Sequence, residues 1–218
     1  MTEIAGIPSR LIVFGGAILL SAVGTIVCDE RGWRRGVYLF KPLTTALILT
    51  FAITGDSAPA YRFLISLGLL FSLAGDVFLM LPKDRFVAGL VSFLAAHLLY
   101  VAAFRFGGVG FTWAPALLYA LYAAALLHVL LPRVGRLKVP VLVYALALTA
   151  MAWIAAERAI AGHPGGWLTA VGAALFVVSD SALAINRFVR PFRAAQPLVL
   201  STYFAAQALI AFSSWFAT

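Results

Sequence analysis

The sequence predicts an all-α, polytopic membrane protein of eight transmembrane helices, and three observations lead to this prediction. Of its 218 residues, 63% are hydrophobic and 11% are charged, whereas about a quarter of the residues in soluble domains are charged. The apolar residues form runs of roughly the 20 residues that cross a bilayer as a helix. Loops between the runs are short, so we expect residues 1–218 to form a single transmembrane domain.

The eight apolar runs follow one another along the whole chain. They span residues 10–28, 38–54, 61–81, 86–105, 112–131, 139–156, 167–186 and 197–217. The first run is longer than the core of a secretion signal and lacks a clear cleavage site, so we interpret it as a membrane helix. Pro42, Pro115, Pro140 and Pro197 each fall in the first turn of a run, where a missing N–H costs nothing. This position of the prolines supports the division into eight helices.

Lysine and arginine are concentrated in alternate loops. Of the 16 in the chain, eleven lie in the first, third, fifth and seventh loops, namely Arg31, Arg34, Arg35, Lys83, Arg85, Arg133, Arg136, Lys138, Arg187, Arg190 and Arg193. Because positively charged loops stay in the cytoplasm, we expect these loops inside the cell, with both termini extracytoplasmic, in the inner membrane. The net charge of +8 is scattered without a continuous patch, which argues against nucleic acid as a partner.

The halves 1–108 and 109–218 resemble one another. The segment 93–97 (FLAAH) in the fourth run is similar to 203–207 (YFAAQ) in the eighth, and each follows a run with an aspartate by one loop. The second and sixth runs both open with a proline close to a lysine. Four helices per half would give two parallel repeats, related by an axis along the membrane normal.

Two carboxylates interrupt the apolar runs, Asp76 in the third and Asp180 in the seventh. A charge at the centre of a membrane helix costs about 2.5–3.5 kcal/mol, so such a residue marks a functional site and needs a partner. Both runs travel in the same direction, and the acids precede the ends of their runs by five and six residues. At 1.5 Å per residue, both would lie roughly 7–9 Å from the cytoplasmic ends, at equal depth.

Further polar side chains occupy consistent faces of the neighbouring runs. Lys41 shares a face with two threonines on the second run, and the others form pairs three or four residues apart, His97 with Tyr100 and Tyr203 with Gln207. Pointed inward, they would line one polar pocket with both acids, open toward the inner leaflet. Packing and hydrogen bonding between helices is the alternative explanation for each of them, and Lys41 can also extend to lipid phosphate.

Two carboxylates in a poorly solvated pocket favour a state in which one keeps its proton and the other is ionised. This arrangement suits acid-catalysed hydrolysis, since one group donates a proton while the other stabilises an oxocarbenium ion or orients water. The chain has a single cysteine and no paired Cys/His spacing, so no metal site is expected. Motifs of serine hydrolases, zinc proteases and P-loop proteins are also missing.

Together these motifs resemble the YhhN family of eight-helix membrane proteins, whose characterised members are lysoplasmalogenases. They are Lys41-Pro42, Gly75-Asp76, Gly89 with Phe93, His97 and Tyr100, Ser179-Asp180 with Leu183 and Asn186-Arg187-Phe188, and Tyr203 with Gln207. The resemblance implies hydrolysis of the sn-1 vinyl-ether bond of a lysoplasmalogen that carries ethanolamine or choline. The products would be a fatty aldehyde and a glycerophospho-alcohol, and no metal or organic cofactor would be needed.

The resemblance also implies roles for individual residues. Asp76 and Asp180 would be the acid and its carboxylate partner, in either order, and Lys41 would hold the lipid phosphate, helped by Arg187. The other candidates would hold glycerol oxygens and water: His97, Tyr100, Asn186, Tyr203 and Gln207. The lysophospholipid would enter from the inner leaflet. The alternatives are a proton- or cation-coupled transporter of a small molecule or lipid that uses the same acids, and a non-catalytic protein whose polar cluster only joins its helices.

Overall fold

The computed structural model describes residues 9–82 and 85–216 and consists, over those residues, of eight α-helices and one short 3₁₀ turn (Gly135–Leu137). The helices are α1 (Ser9–Glu30), α2 (Arg34–Ile53), α3 (Pro59–Met80), α4 (Phe86–Phe104), α5 (Trp113–Leu130), α6 (Lys138–Ile160), α7 (Gly166–Phe188) and α8 (Ala195–Ser213). In this described part of the chain, eight helical spans are long and apolar enough to cross a membrane. The predicted all-α fold with eight membrane helices is therefore confirmed.

Six helices form the inner bundle and two lie at its periphery. Helix α8 packs against α1, α2, α3 and α7, while α4 packs against α3 and α6. Helix α1 contacts α2 and α8, and α5 contacts α6 and, more weakly, α7. One apolar core extends across the inner helices, with fully buried side chains such as Ile48, Leu69, Met151 and Phe176. Residues on α2, α3, α4, α6, α7 and α8 can therefore meet inside the bundle.

The packing order is compatible with the predicted repeat of residues 1–108 and 109–218. In each half the first helix lies beside the second, the second beside the third and the third beside the fourth. Across the halves, α2 packs against α8 just as α6 packs against α4. These equivalent contacts support the repeat, which stays a prediction.

Helix α2 begins earlier than the apolar run predicted. It starts at Arg34, so Pro42 lies inside the helix and its predicted place in a first turn is wrong. The other three prolines are each the third residue of their helix, as expected. Arginine is a good helix former, and the exposed Arg34 and Arg35 extend the helix although they are not apolar. The Tyr38 carbonyl loses its usual donor four residues ahead because proline has no N–H.

Two glycines of α3 allow α4 to approach closely. A Cβ atom at Gly75 would lie 2.6 Å from the ring of Phe93, and one at Gly68 would overlap the ring of Tyr100. Small residues at helix contacts let neighbouring backbones come together in membrane proteins. The two aromatic side chains of α4 are thereby held against α3, next to the polar residues described below.

Candidate active site

Asp76 is buried four residues before the end of α3 and is surrounded by three donors. The Nζ atom of Lys41 lies 3.2 Å from its Oδ1 atom. The hydroxyl groups of Thr45 and Tyr203 donate hydrogen bonds to its Oδ2 atom, at 2.6 and 2.7 Å. An ammonium group and two hydroxyl donors stabilise a carboxylate in its charged form. The arrangement is thus a buried ion pair with two supporting hydrogen bonds.

The sequence of α2 explains two of these contacts. Lys41 and Thr45 are four residues apart, so they lie on the same face of the helix, one turn from each other. That face packs against α3 and α8. Asp76 is therefore reached from α2 by both side chains at once, while Tyr203 reaches it from α8.

Asp180 has different surroundings. The Tyr144 hydroxyl of α6 donates a hydrogen bond of 2.5 Å to its Oδ2 atom. The Nε2 atom of His97 is 3.9 Å from the same oxygen, which is too far for a hydrogen bond. In the described part of the chain no Lys or Arg forms an ion pair with Asp180. Its side chain is 13% exposed, compared with 1% for Asp76.

An aromatic cluster, formed by Phe93, His97, Phe176 and Tyr203, connects the two acids. The Tyr203 ring packs edge-on against Phe93 and Phe176, with centroids 5.8 and 5.6 Å apart. The His97 ring packs in the same way against Phe176, at 4.8 Å. Within the described residues, 9–82 and 85–216, the two acids share no hydrogen-bond partner. None of the cavities found among these residues is lined by both acids, and the aromatic rings pack between their partners. One polar pocket lined by both acids stays a prediction.

Two of the cavities at the end of the bundle that contains the odd-numbered loops lie next to the two acids or their partners. The apolar cavity, about 50 Å³, has Asp180, Tyr144 and Ser181 in its wall among apolar residues of α3 to α7, such as Leu79 and Phe93. The polar cavity, about 210 Å³, lies between α1, α2, α3 and α8. Its polar lining residues are Asp29, Arg34, Tyr38, Lys41 and Gln196. Leu79 lines both cavities, so they are neighbours.

The ends of the helices do not place the two acids equally. Asp76 precedes Met80 by four residues, whereas α7 continues eight residues beyond Asp180, to Phe188. At 1.5 Å per residue these offsets correspond to about 6 and 12 Å along the two helices. The expected equal distance of roughly 7–9 Å from both helix ends is thus not found.

Four of the remaining candidates line neither of these two cavities. The Tyr100 hydroxyl donates to Gln207 Oε1 at 2.8 Å, and both side chains are fully buried between α4 and α8. Asn186 Oδ1 accepts a hydrogen bond of 3.1 Å from the backbone N–H of Phe192, which orders the loop between α7 and α8. The guanidinium of Arg187 lies 4.0 Å from the centroid of the Phe86 ring. The structure therefore groups Lys41 and Tyr203 with Asp76, and His97 with Asp180, but not these residues.

Sequence reasoning missed Tyr144, the one hydrogen-bond donor to Asp180 among the described residues. A signal for it exists in the repeat. Thr45 follows Pro42 by three residues and Tyr144 follows Pro140 by four, and each donates to the acid on the next helix. The last helix of the opposite half then completes each acid's surroundings, with α8 contacting Asp76 and α4 lying near Asp180.

The fold and the buried polar residues define a multi-pass helical membrane protein with ionisable groups inside its bundle. The chain belongs to the YhhN family, whose model matches residues 36–214. No solved structure matches it significantly.

Curated relatives carry two kinds of name. The uncharacterized membrane protein YhhN of Escherichia coli O157:H7 is 31% identical over 198 residues, which cover 89% of this chain and 94% of that protein. Lysoplasmalogenase TMEM86B of Homo sapiens is 35% identical, covering 85% of this chain and 77% of that protein. Lysoplasmalogenase TMEM86A of Bos taurus is 34% identical, covering 76% and 69%.

Proposed function

We propose that this protein is a lysoplasmalogenase that hydrolyses the sn-1 vinyl-ether bond of a lysoplasmalogen. The products would be a fatty aldehyde and glycerophosphoethanolamine or glycerophosphocholine. The observation that supports this most directly is the position of Asp180 in the wall of an apolar cavity that adjoins a polar one. An amphipathic lysolipid needs both environments, with the reactive bond where they meet. The names of the mammalian relatives favour the same reaction.

Asp180 is the proposed proton donor. A carboxylate among apolar side chains, without a cation beside it, is costly, so the neutral acid is the favoured form. The Tyr144 hydroxyl donates to Oδ2, which leaves Oδ1 as the atom that holds the proton and faces the substrate. Asp76, with Lys41 against it and two hydroxyl donors, is already compensated as an anion. The two acids thus differ in the way that acid catalysis requires.

The proposed reaction has two proton transfers through Asp180. The acid first protonates the β-carbon of the vinyl ether, which leaves an oxocarbenium ion beside the new carboxylate. Water then adds to that ion and returns a proton to Asp180, giving a hemiacetal that breaks into aldehyde and alcohol. Protonation of carbon is slow, so the geometry between the acid and the double bond should matter greatly. His97, 3.9 Å from Asp180, would orient the water.

Asp76 is the proposed positioning residue. It does not line either of the two cavities, but its partner Lys41 lines the polar one. By pairing with Lys41 and accepting from Tyr203, Asp76 would fix the ammonium group that contacts the lipid phosphate. The lipid would enter at this end of the bundle, from the inner leaflet if the orientation expected from the basic loops holds.

Purified protein in detergent tests the proposal. Lysoplasmenylethanolamine is supplied, and released aldehyde is followed by NADH oxidation with alcohol dehydrogenase. Wild-type protein should form aldehyde, and Asp180→Asn should abolish it because an amide cannot protonate carbon. The control variant Glu30→Gln, at an exposed residue that lines neither cavity, should retain most of the activity. Wild-type protein that leaves several vinyl-ether lipids intact would refute the proposal and favour transport.

A further inference from the structure

We propose that the polar cavity is a headgroup subsite for a zwitterionic phosphate–amine group, in which Asp29 binds the ammonium. The identity of the lipid rests on the proposed function, whereas the subsite itself rests on the cavity. Asp29 comes from the last turn of α1, outside the set of motifs that indicate the family. Asp29 would thus be a specificity-determining residue of the reaction proposed above.

The cations of this cavity lie on one face of α2. Arg34, Tyr38 and Lys41 are four and three residues apart, so all three side chains project into the cavity from that face. Arg34 is exposed at the start of the helix, whereas Lys41 is largely buried against Asp76. Their positions differ by two helical turns, about 10 Å along the axis. A phosphate group between them can be contacted by both.

Asp29, on α1, lines the same cavity as these residues of α2. Its side chain is half-buried beside Gln196 of α8 and interacts electrostatically with Lys41. No ion pair of Asp29 is found within residues 9–82 and 85–216. Its carboxylate therefore has the Gln196 amide as a partner but no ion-paired cation among these residues, and it can bind a cationic group that enters the cavity.

The charges of the lining match a zwitterion. Asp76 already compensates Lys41 at 3.2 Å, which leaves one positive and one negative side chain, Arg34 and Asp29. An ethanolamine or choline headgroup supplies one charge of each sign. A lipid that ends in a bare phosphate would place excess negative charge near Asp29 instead. The cavity should thus select headgroups with an amine, because Asp29 attracts the ammonium and repels the extra negative charge of a bare phosphate.

The position of Leu79 relates this subsite to the proposed chemistry. Leu79 lines both cavities, and Asp180 lies in the wall of the apolar one. A lysolipid with its phosphate near Lys41 would pass Leu79 and present its sn-1 linkage toward Asp180. The volume of about 210 Å³ is far above the 10–15 Å³ that a water molecule needs.

The experiment compares two vinyl-ether substrates that differ only in the amine, lysoplasmenylethanolamine and 1-alkenyl-glycerol 3-phosphate. The measured quantity is the ratio of their kcat/KM values. Asp29→Asn should lower the ratio about five- to tenfold, a modest effect for a charge-assisted contact at a half-exposed site. Asp29→Glu, which keeps the charge, should retain most of it. Glu30→Gln is the matched control, since Glu30 is exposed and does not line this cavity.

Two kinetic results would overturn the subsite. One is a ratio for Asp29→Asn within twofold of wild type, and the other is an equal loss in Glu30→Gln, which would indicate a general surface-charge effect. A binding arm separates this inference from the enzymatic proposal. Glycerophosphoethanolamine and glycerol 3-phosphate, neither of which has a chain or a vinyl ether, are titrated into the protein by calorimetry. Asp29-dependent preference for the amine without hydrolysis would support the subsite and refute only the reaction, and equal binding would refute the subsite.

Discussion

Removal of Lys41 should test whether Asp76 is held as a buried anion. Lys41→Met keeps the length and apolar stem of the side chain but deletes the ammonium 3.2 Å from Asp76 Oδ1. Asp76 is almost completely buried, so the variant leaves a carboxylate supported only by the hydroxyl groups of Thr45 and Tyr203. The reverse change, Asp76→Asn, leaves the ammonium without its anion. Lys41 lines the polar cavity, however, and there it can reach water.

The two variants should therefore differ in cost. Removing one partner of a buried ion pair, so that the other charge stays buried and uncompensated, lowers stability by about 3–5 kcal/mol. We expect this loss for Lys41→Met. Asp76→Asn should cost about 1–2 kcal/mol, as the amide oxygen can still accept from the two hydroxyl groups. In the double variant no stranded carboxylate remains. It should be more stable than Lys41→Met alone, by about 2 kcal/mol, although it contains one more substitution.

Thermal unfolding in a fixed detergent measures these differences. For a chain of this size, about 1 kcal/mol corresponds to about 2–4 °C in Tm, so Lys41→Met should unfold at least 6 °C below wild type. The control Lys138→Met alters an exposed lysine at the start of α6 and should stay within about 0.5 kcal/mol of wild type. If Lys41→Met unfolds like this control, or if the double variant is less stable than Lys41→Met, the buried ion pair is refuted.

Two further variants test other contacts. Tyr144→Phe deletes the donor to Asp180. Aldehyde release should fall about tenfold, less than in Asp180→Asn, because the acid keeps its proton but loses its orientation. An unchanged kcat/KM would exclude that positioning role. Gly68→Ala places a methyl group in the ring of Tyr100 and should lower stability by about 1–3 kcal/mol. Gly15→Ala, with open space around its added carbon, should be neutral or stabilising in the same unfolding experiments, because alanine is the better helix former. A Gly68→Ala variant as stable as Gly15→Ala would refute the clash with Tyr100.

The number and approximate limits of the helices followed from the sequence because the bilayer imposes them. Each run must satisfy its own backbone hydrogen bonds and present about 20 apolar residues. The same reasoning identified Asp76 and Asp180, since a carboxylate in such a run is costly and conspicuous. The predicted start of α2 was wrong because the helix begins with the polar residues Arg34 and Arg35, which lie before the apolar run. That extra turn is what brings Arg34 to the polar cavity.

By itself the sequence determined the eight helices, the buried acids and the family to which the chain belongs. Only the tertiary structure decided that Asp76 pairs with Lys41 while Asp180 is bound by Tyr144, and that aromatic rings separate the two acids. The physical reason is that backbone hydrogen bonding and hydrophobicity fix where each helix crosses the bilayer, and so the depth of each residue. Which way it faces, and which helix it meets, depends on side-chain packing among all the helices at once.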